Sequence, residues 1–193
     1  DRRTAAALPD DVATLIYTSG TTGTPKGVML TQKNLAFIAQ KAQEILPVGT
    51  GDRLISYLPL SHIAEQVVSH LLSLATGACV HFAESLEKLP ENLREVRPHI
   101  FLGVPRVWEK IQAGMQAAGA QASPLRRRIA AWAKGVGLAG GYADQEGRTR
   151  PWSYGIADRL VFSKVRQRLG FDQVRMLVVS AAPRGCAAAR ATR

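Results

Sequence analysis

Between residues 12 and 111 the chain alternates between two spacings. Short apolar or β-branched runs give way to longer stretches whose apolar residues recur every three or four positions. A strand covered on both faces reads as a continuous apolar run, whereas a helix lying on a sheet reads at a period near 3.6. Regular exchange of the two leaves few architectures. The pattern predicts an α/β domain with a largely parallel sheet and flanking helices, whose ligands sit at the loops that follow strand C-termini.

Residues 12–17, VATLIY, read as a buried strand that delivers a glycine-rich loop at its end. Residues 27–30 read as extended, and Thr31 is placed to cap a helix over residues 32–45, where Leu35, Ile38, Ala39, Ala42 and Ile45 fall at helical spacing. Pro47 and Gly49 end it. A strand is expected at 54–58 with a break at Pro59, then a helix over 63–75 and a strand over 78–82. A helix opened by Pro90, a strand at 100–104 and a helix after Pro105 carrying Trp108 and Ile111 continue the alternation. Both of those side chains read as core. From Gly114 the composition loosens. One helix is expected after Ser123 and Pro124, a surface excursion over residues 135–151, a helix over 156–169 and a strand over 174–180. Residues 181–193 follow no pattern.

The loop itself, YTSGTTGTPKG at residues 17–27, carries the elements of a phosphate cradle. Glycines let backbone N–H groups turn inward, hydroxyls donate, and a lysine brings charge. Thr18, Ser19, Thr21, Thr22 and Thr24 supply hydroxyls, Gly20, Gly23 and Gly27 supply freedom, and Lys26 supplies the cation. It is not a Walker A loop: Pro25 precedes the lysine, and Gly27 stands where a magnesium-binding hydroxyl is required. On these residues alone two readings stay open, a phosphate loop and an ordinary Gly/Thr hairpin turn.

The eleven-residue string resembles the phosphate loop of the adenylate-forming enzymes, the superfamily of acyl-CoA synthetases, luciferases and peptide-synthetase adenylation domains. Three further strings resemble that family in the same order: SYLPLSHIAEQ at 56–66, GVPRVWEKI at 103–111 and VVSAAP at 178–183. The wording is most similar to long-chain fatty acyl-CoA synthetases of bacterial or bubblegum type. The resemblance spans residues 10–183 and implies that 1–183 are part of the large N-terminal domain. Residues 184–193 depart from the family and read as a truncated or frame-shifted tail. The later Tyr-Gly-x-Thr-Glu motif and the mobile C-terminal domain are not in this sequence, so the resemblance implies a fragment of a synthetase. A nucleotide-binding remnant without catalysis is the alternative.

The resemblance also implies roles. Thr18, Ser19, Gly20, Thr21, Thr22, Gly23 and Lys26 would hold the β- and γ-phosphates of ATP, assisted by Mg²⁺, while Ser180, Ala181, Ala182 and Pro183 would pack against adenine. A fatty acid carboxylate would attack ATP to give acyl-AMP, and coenzyme A would then take the acyl group. His62 would lie beside the reacting carboxylate; read without the family, it simply caps a helix. Gln66 occupies the position of an aromatic gate found in some long-chain enzymes, which leaves chain-length selectivity open. Arg106 could meet an anion at a strand end, though an arginine there is usually solvated.

Twenty-five basic against fifteen acidic residues give a net charge of +10. Nucleic acid is nevertheless not an expected partner, because the basic residues gather at the ends and at Arg126–Arg128 without interleaved aromatics or a zinc-finger pattern. Cys79 and Cys186 lack framework spacing and read as free thiols. His70, His81 and His99 lack metal-ligand spacing. No apolar run approaches the twenty or so residues that a membrane span needs, and the start does not resemble a signal peptide. The expectation is a cytoplasmic protein, with peripheral membrane contact through its lipid substrate left open.

Overall fold

The structure, a computed structural model, describes residues 6–18 and 25–179. The chain divides into two compact units, Asp1–Leu89 and Pro90–Arg193.

In the first unit β1 (Val12–Thr18) and β2 (Lys26–Thr31) pair antiparallel. Ile16 meets Val28, Tyr17 meets Gly27 and Thr18 meets Lys26, with an irregularity between Val12 and Thr14. The expectation of a buried β1 is corrected: only Ile16 is buried, while Leu15 and Tyr17 are 52% and 70% exposed. β-branched and aromatic residues favour extended backbone whether or not they are buried, so the composition here reports a strand and not its burial.

Helix α1 (Gln32–Ile45) begins where its cap predicts. Thr31 Oγ1 accepts from the Asn34 N–H at 3.3 Å and Asn34 Oδ1 accepts from the Thr31 N–H at 3.0 Å. This reciprocal pair satisfies two donors that a helix start leaves without partners. β3 (Arg53–Ser56) and β4 (Cys79–Phe82) then pair in parallel. Between them runs α2, an α-helical turn Ile63–Glu65, a π segment Gln66–Leu71 and a second α-helical turn Leu72–Thr76, closed by Gly77 at φ +75°. Leu54 and Ile55 of β3 and Leu72 of α2 are buried apolar side chains of this segment. α1 and α2 are tied by the Gln43 amide, which donates to the Ala75 carbonyl at 2.8 Å.

α3 (Leu89–Val96) leads into the second unit, where β5 (Ile100–Gly103) pairs in parallel with β6 (Met176–Val179). Among the described residues two of the three sheets are therefore parallel, with helices flanking them, and the hairpin is the antiparallel exception. β5 is buried at every residue, and Phe101 stands against Trp108 and Phe171 at ring-centre distances of 5.6 and 5.1 Å. α4 (Pro105–Ala120) follows β5. It buries Val107, while the expected core residues Trp108 and Ile111 are both half-buried, and the Trp108 indole N–H donates to the Gly103 carbonyl at 3.2 Å.

The expected excursion over residues 135–151 is corrected too, because α5 (Pro124–Gln145) continues through Gly135, Gly137, Gly140 and Gly141. Those glycines do not break the helix because two of them are contacts. A Cβ on Gly140 would sit 2.5 Å from the Tyr154 ring, and one on Gly137 would sit 3.1 Å from Phe162. Both rings belong to α6, assembled from Ser153–Ala157, a π segment Asp158–Phe162 and Ser163–Leu169. Burial of apolar rings against a bare backbone outweighs the roughly 1 kcal/mol propensity cost of each helical glycine. Ser123 stands at the N-cap of α5 as expected, though its side chain makes no cap hydrogen bond.

Candidate functional site

Of the residues assigned to phosphate, the structure describes Thr18 and Lys26; Ser19, Gly20, Thr21, Thr22 and Gly23 lie outside the described residues. Thr18 ends β1, Lys26 opens β2, and the two are direct cross-strand partners. The two ends of the loop are thus held one strand spacing apart, about 5 Å, with both side chains exposed. Next to them the Tyr17 ring lies over Gly27, where a Cβ would stand 3.3 Å from the ring. A glycine there lets the aromatic cross the ribbon and cover the strand beside the lysine. A hydroxyl and an ammonium side by side at the mouth of a glycine-rich loop suit an anionic ligand.

His62 sits inside the second motif and caps α2. Its Nδ1 accepts from the Ala64 N–H at 3.2 Å, and the His62 backbone N–H donates to the Pro59 carbonyl at 2.8 Å. The capping role foreseen from local sequence is therefore real, and it does not compete with a role at the far nitrogen. With Nδ1 engaged as acceptor, the neutral ring carries its proton on Nε2, a donor suited to a carboxylate oxygen. Gln66, where a gate was sought, donates its side-chain amide to the Leu60 carbonyl at 2.7 Å. It braces the turn before the helix.

Between α1 and the start of α2 lies an apolar cleft of about 450 Å³, lined by Leu30, Phe37, Ile38, Ile63 and Val67 with Lys33 and Asn34 at its edge. Ile63 follows His62 directly. Sequence reasoning missed Glu65, which is buried to 1% exposure on the same helix turn. Its signal was a carboxylate four residues before Ser69 in an otherwise apolar stretch.

Arg106 is exposed on the first turn of α4. Ser180, Ala181, Ala182 and Pro183 lie outside the described residues, as does Cys186; Cys79 is an exposed free thiol. Among the described residues no three His, Cys, Asp or Glu side chains gather as a metal site, and no helix is long and apolar enough to cross a membrane.

The sequence profile of AMP-binding enzymes matches residues 1–192. The chain belongs to the AMP-binding enzyme family. Family membership agrees with what the chain resembles in detail. It is 44% identical, over 95% of its length, to 26% of the long-chain-fatty-acid–CoA ligase ACSBG2 of Xenopus laevis. It is 39% identical, over 92% of its length, to 32% of the putative fatty-acid–CoA ligase fadD11 of Mycobacterium tuberculosis. The chain thus spans about a quarter to a third of the curated relatives it matches. Among solved structures it is similar to the adenylation domain of a carboxylate reductase from Mycobacterium chelonae, at 25% identity and a TM-score of 0.64 over 91% of this chain and 23% of that one. It is also similar to a malonyl-CoA ligase with methylmalonyl-CoA and AMP bound, at 30% identity and a TM-score of 0.51 over 58% of this chain and 25% of the other. The α/β arrangement with parallel sheets is the one expected for the N-terminal domain of an adenylate-forming enzyme.

Proposed function

We propose that this chain is the part of an ATP-dependent long-chain fatty acid–CoA ligase that grips the triphosphate of ATP and flanks the acyl carboxylate. The observation that carries the reading is the 44% identity over 95% of the chain to a relative of that name. In the reaction a carboxylate oxygen of the fatty acid attacks the α-phosphorus, the bond to the bridging oxygen breaks, and pyrophosphate leaves. The sulfur of coenzyme A then attacks the acyl carbonyl, AMP leaves with the electron pair of the broken bond, and the thiol proton passes to solvent or a base.

Charge dominates the first step, since negative oxygens must approach one another. Lys26 and the hydroxyls of Thr18, Ser19, Thr21 and Thr22, with the backbone at Gly20 and Gly23, would hold the β- and γ-phosphates as preorganised donors. The antiparallel pairing supports this, because it fixes Thr18 beside Lys26 before any nucleotide arrives. Mg²⁺ would accompany the phosphates and supply Lewis acidity. The described residues suit the anion more than the metal, offering a lysine and a hydroxyl there and no cluster of carboxylates. His62 would donate from Nε2 to the acyl carboxylate, and the apolar cleft that starts at Ile63 supports an apolar tail behind it. Ser180, Ala181, Ala182 and Pro183 would face the adenine. A lipid substrate also brings peripheral membrane contact from the cytoplasm into this reading.

The test is the thermal stability of the chain with and without magnesium ATP. A ligand at ten times its dissociation constant stabilises by about 1.4 kcal/mol, so the melting temperature rises with ATP. Lys26→Ala, at an exposed strand end, should fold normally and lose most of that rise. An equal rise in the variant, or none in the unaltered chain, overturns the phosphate role.

A further inference from the structure

Glu65 is the most deeply buried charged residue among the described residues of the first unit, and the reaction just described gives it no task. A carboxylate is kept in an interior only where partners replace its water. Glu65 has two, on different segments. One oxygen accepts from the Ser69 hydroxyl, one turn further along α2. The other accepts from the backbone N–H of Leu58 at 3.4 Å, seven residues back and on the far side of the turn that carries His62.

That turn is stitched to the helix at several points. The Gln66 amide reaches the Leu60 carbonyl, the His62 N–H reaches the Pro59 carbonyl, and the Glu65 and Gln66 N–H groups reach the His62 carbonyl at 3.0 and 3.2 Å. Glu65 alone among these ties the turn's first residue to the helix interior by a side chain. An aliphatic residue would fill the same space on the buried face, so packing gives no reason for a carboxylate there. Spanning the turn gives one. The π segment that starts at Gln66 adds to this, since π segments in helices are often kept where a side chain has to be aimed.

We propose that Glu65 is a positioning residue for His62: by holding the Leu58 N–H and the Ser69 hydroxyl together, it fixes the Leu58–His62 turn so that Nδ1 caps α2 and Nε2–H stays the free donor. Its catalytic meaning rests on the reading of His62 given above, but its structural content does not.

The experiment is nitrogen-15 NMR of the histidine rings of the whole chain, with His62 assigned by His62→Asn, alongside amide exchange at Leu58. Glu65→Leu fills the volume without an acceptor, whereas Glu65→Gln keeps one. In Glu65→Leu, Leu58 should exchange about tenfold faster, the loss expected of one hydrogen bond, and the His62 ring should pass from a single Nε2–H tautomer to a mixture. Glu65→Gln should restore both signals. A His62 tautomer and a Leu58 exchange rate unchanged in Glu65→Leu overturn the proposal and leave Glu65 as packing. Should Glu65→Leu fail to fold, Ser69→Ala decides, because it removes one anchor of the carboxylate and should move the same two signals; unchanged signals overturn the proposal. Neither readout involves ATP or an acyl substrate. A failed Lys26 test therefore leaves this one standing, and the reverse also holds.

Discussion

Single residues show where the backbone leaves no choice. Gly170 ends α6 at φ +78°, and a Cβ there would press into the Leu93 carbonyl and the Arg94 nitrogen of α3. Gly147 has φ +66° and nothing within 4 Å of the same added atom. The two positions share a left-handed conformation and differ only in the neighbouring backbone. Gly147→Ala should therefore cost about 1 kcal/mol, the conformational share alone, whereas Gly170→Ala should cost more than about 2 kcal/mol because backbone atoms cannot turn aside as a side chain can. Urea unfolding of the two variants measures the difference, and equal costs would show that the α3–α6 approach does not select the glycine. At this scale Thr18 and Lys26 stand in a string of unusual composition, whereas His62 was singled out only by the resemblance of its string to the family's and by itself read as a helix cap. Glu65 stayed hidden. A lone acid in SHIAEQVVSHLL reads as the solvated side of a helix, and only the fold brings Leu58 and Ser69 to its two oxygens.

Elements were legible in proportion to how local their signals are. α1 was readable to the residue because Thr31 and Asn34, three positions apart, decide its start without help from the rest of the chain. α5 was not, because Gly137 and Gly140 are intrinsically poor in helices and acquire their purpose from Tyr154 and Phe162, which lie beyond the next turn. β1 was placed correctly, yet its burial and antiparallel partner depend on pairing that no single run encodes. The connection from α5 to α6 offers an electrostatic test. Arg150 grips Asp144 with two hydrogen bonds of 2.7 Å, and its guanidinium lies 4.6 Å above the Tyr154 ring. Hydrogen bonding from Arg150 holds the Asp144 carboxyl below its ordinary value, against a smaller opposing effect of desolvation and with a further Coulombic pull from the same guanidinium. A depressed folded-state value means that the contribution is present above the unfolded carboxylate value and is lost as pH falls through the folded one. Asp144→Asn removes it at every pH. The melting temperature of the unaltered chain should accordingly exceed that of the variant at about pH 6, and the gap should close as pH falls to about 2. A gap that persists at acid pH would assign the effect to geometry and not to charge.

For the whole molecule, two opposing forces act on its surface. Every sheet among the described residues has two strands, so each strand keeps an edge unpaired within its sheet. Large apolar side chains lie open beside them: Leu15, Tyr17 and Met29 on the hairpin, Leu74 on α2 and Phe82 on β4. Two-stranded sheets are marginal by themselves, and contiguous apolar surface drives association. Against this stands the net charge of +10, which makes copies repel. The repulsion reaches about 10 Å at 0.1 M salt and only about 3 Å at 1 M, while apolar attraction does not weaken with salt. Charge should therefore win in dilute buffer and lose in concentrated salt. Sedimentation velocity of the chain is expected to show monomer at low ionic strength and growing assemblies toward 1 M sodium chloride, with dye binding to apolar surface high at low salt and falling as faces become covered. Assemblies that instead dissolve as salt rises would mean that ion pairs, and not the open faces of the hairpin and β4, hold the copies together.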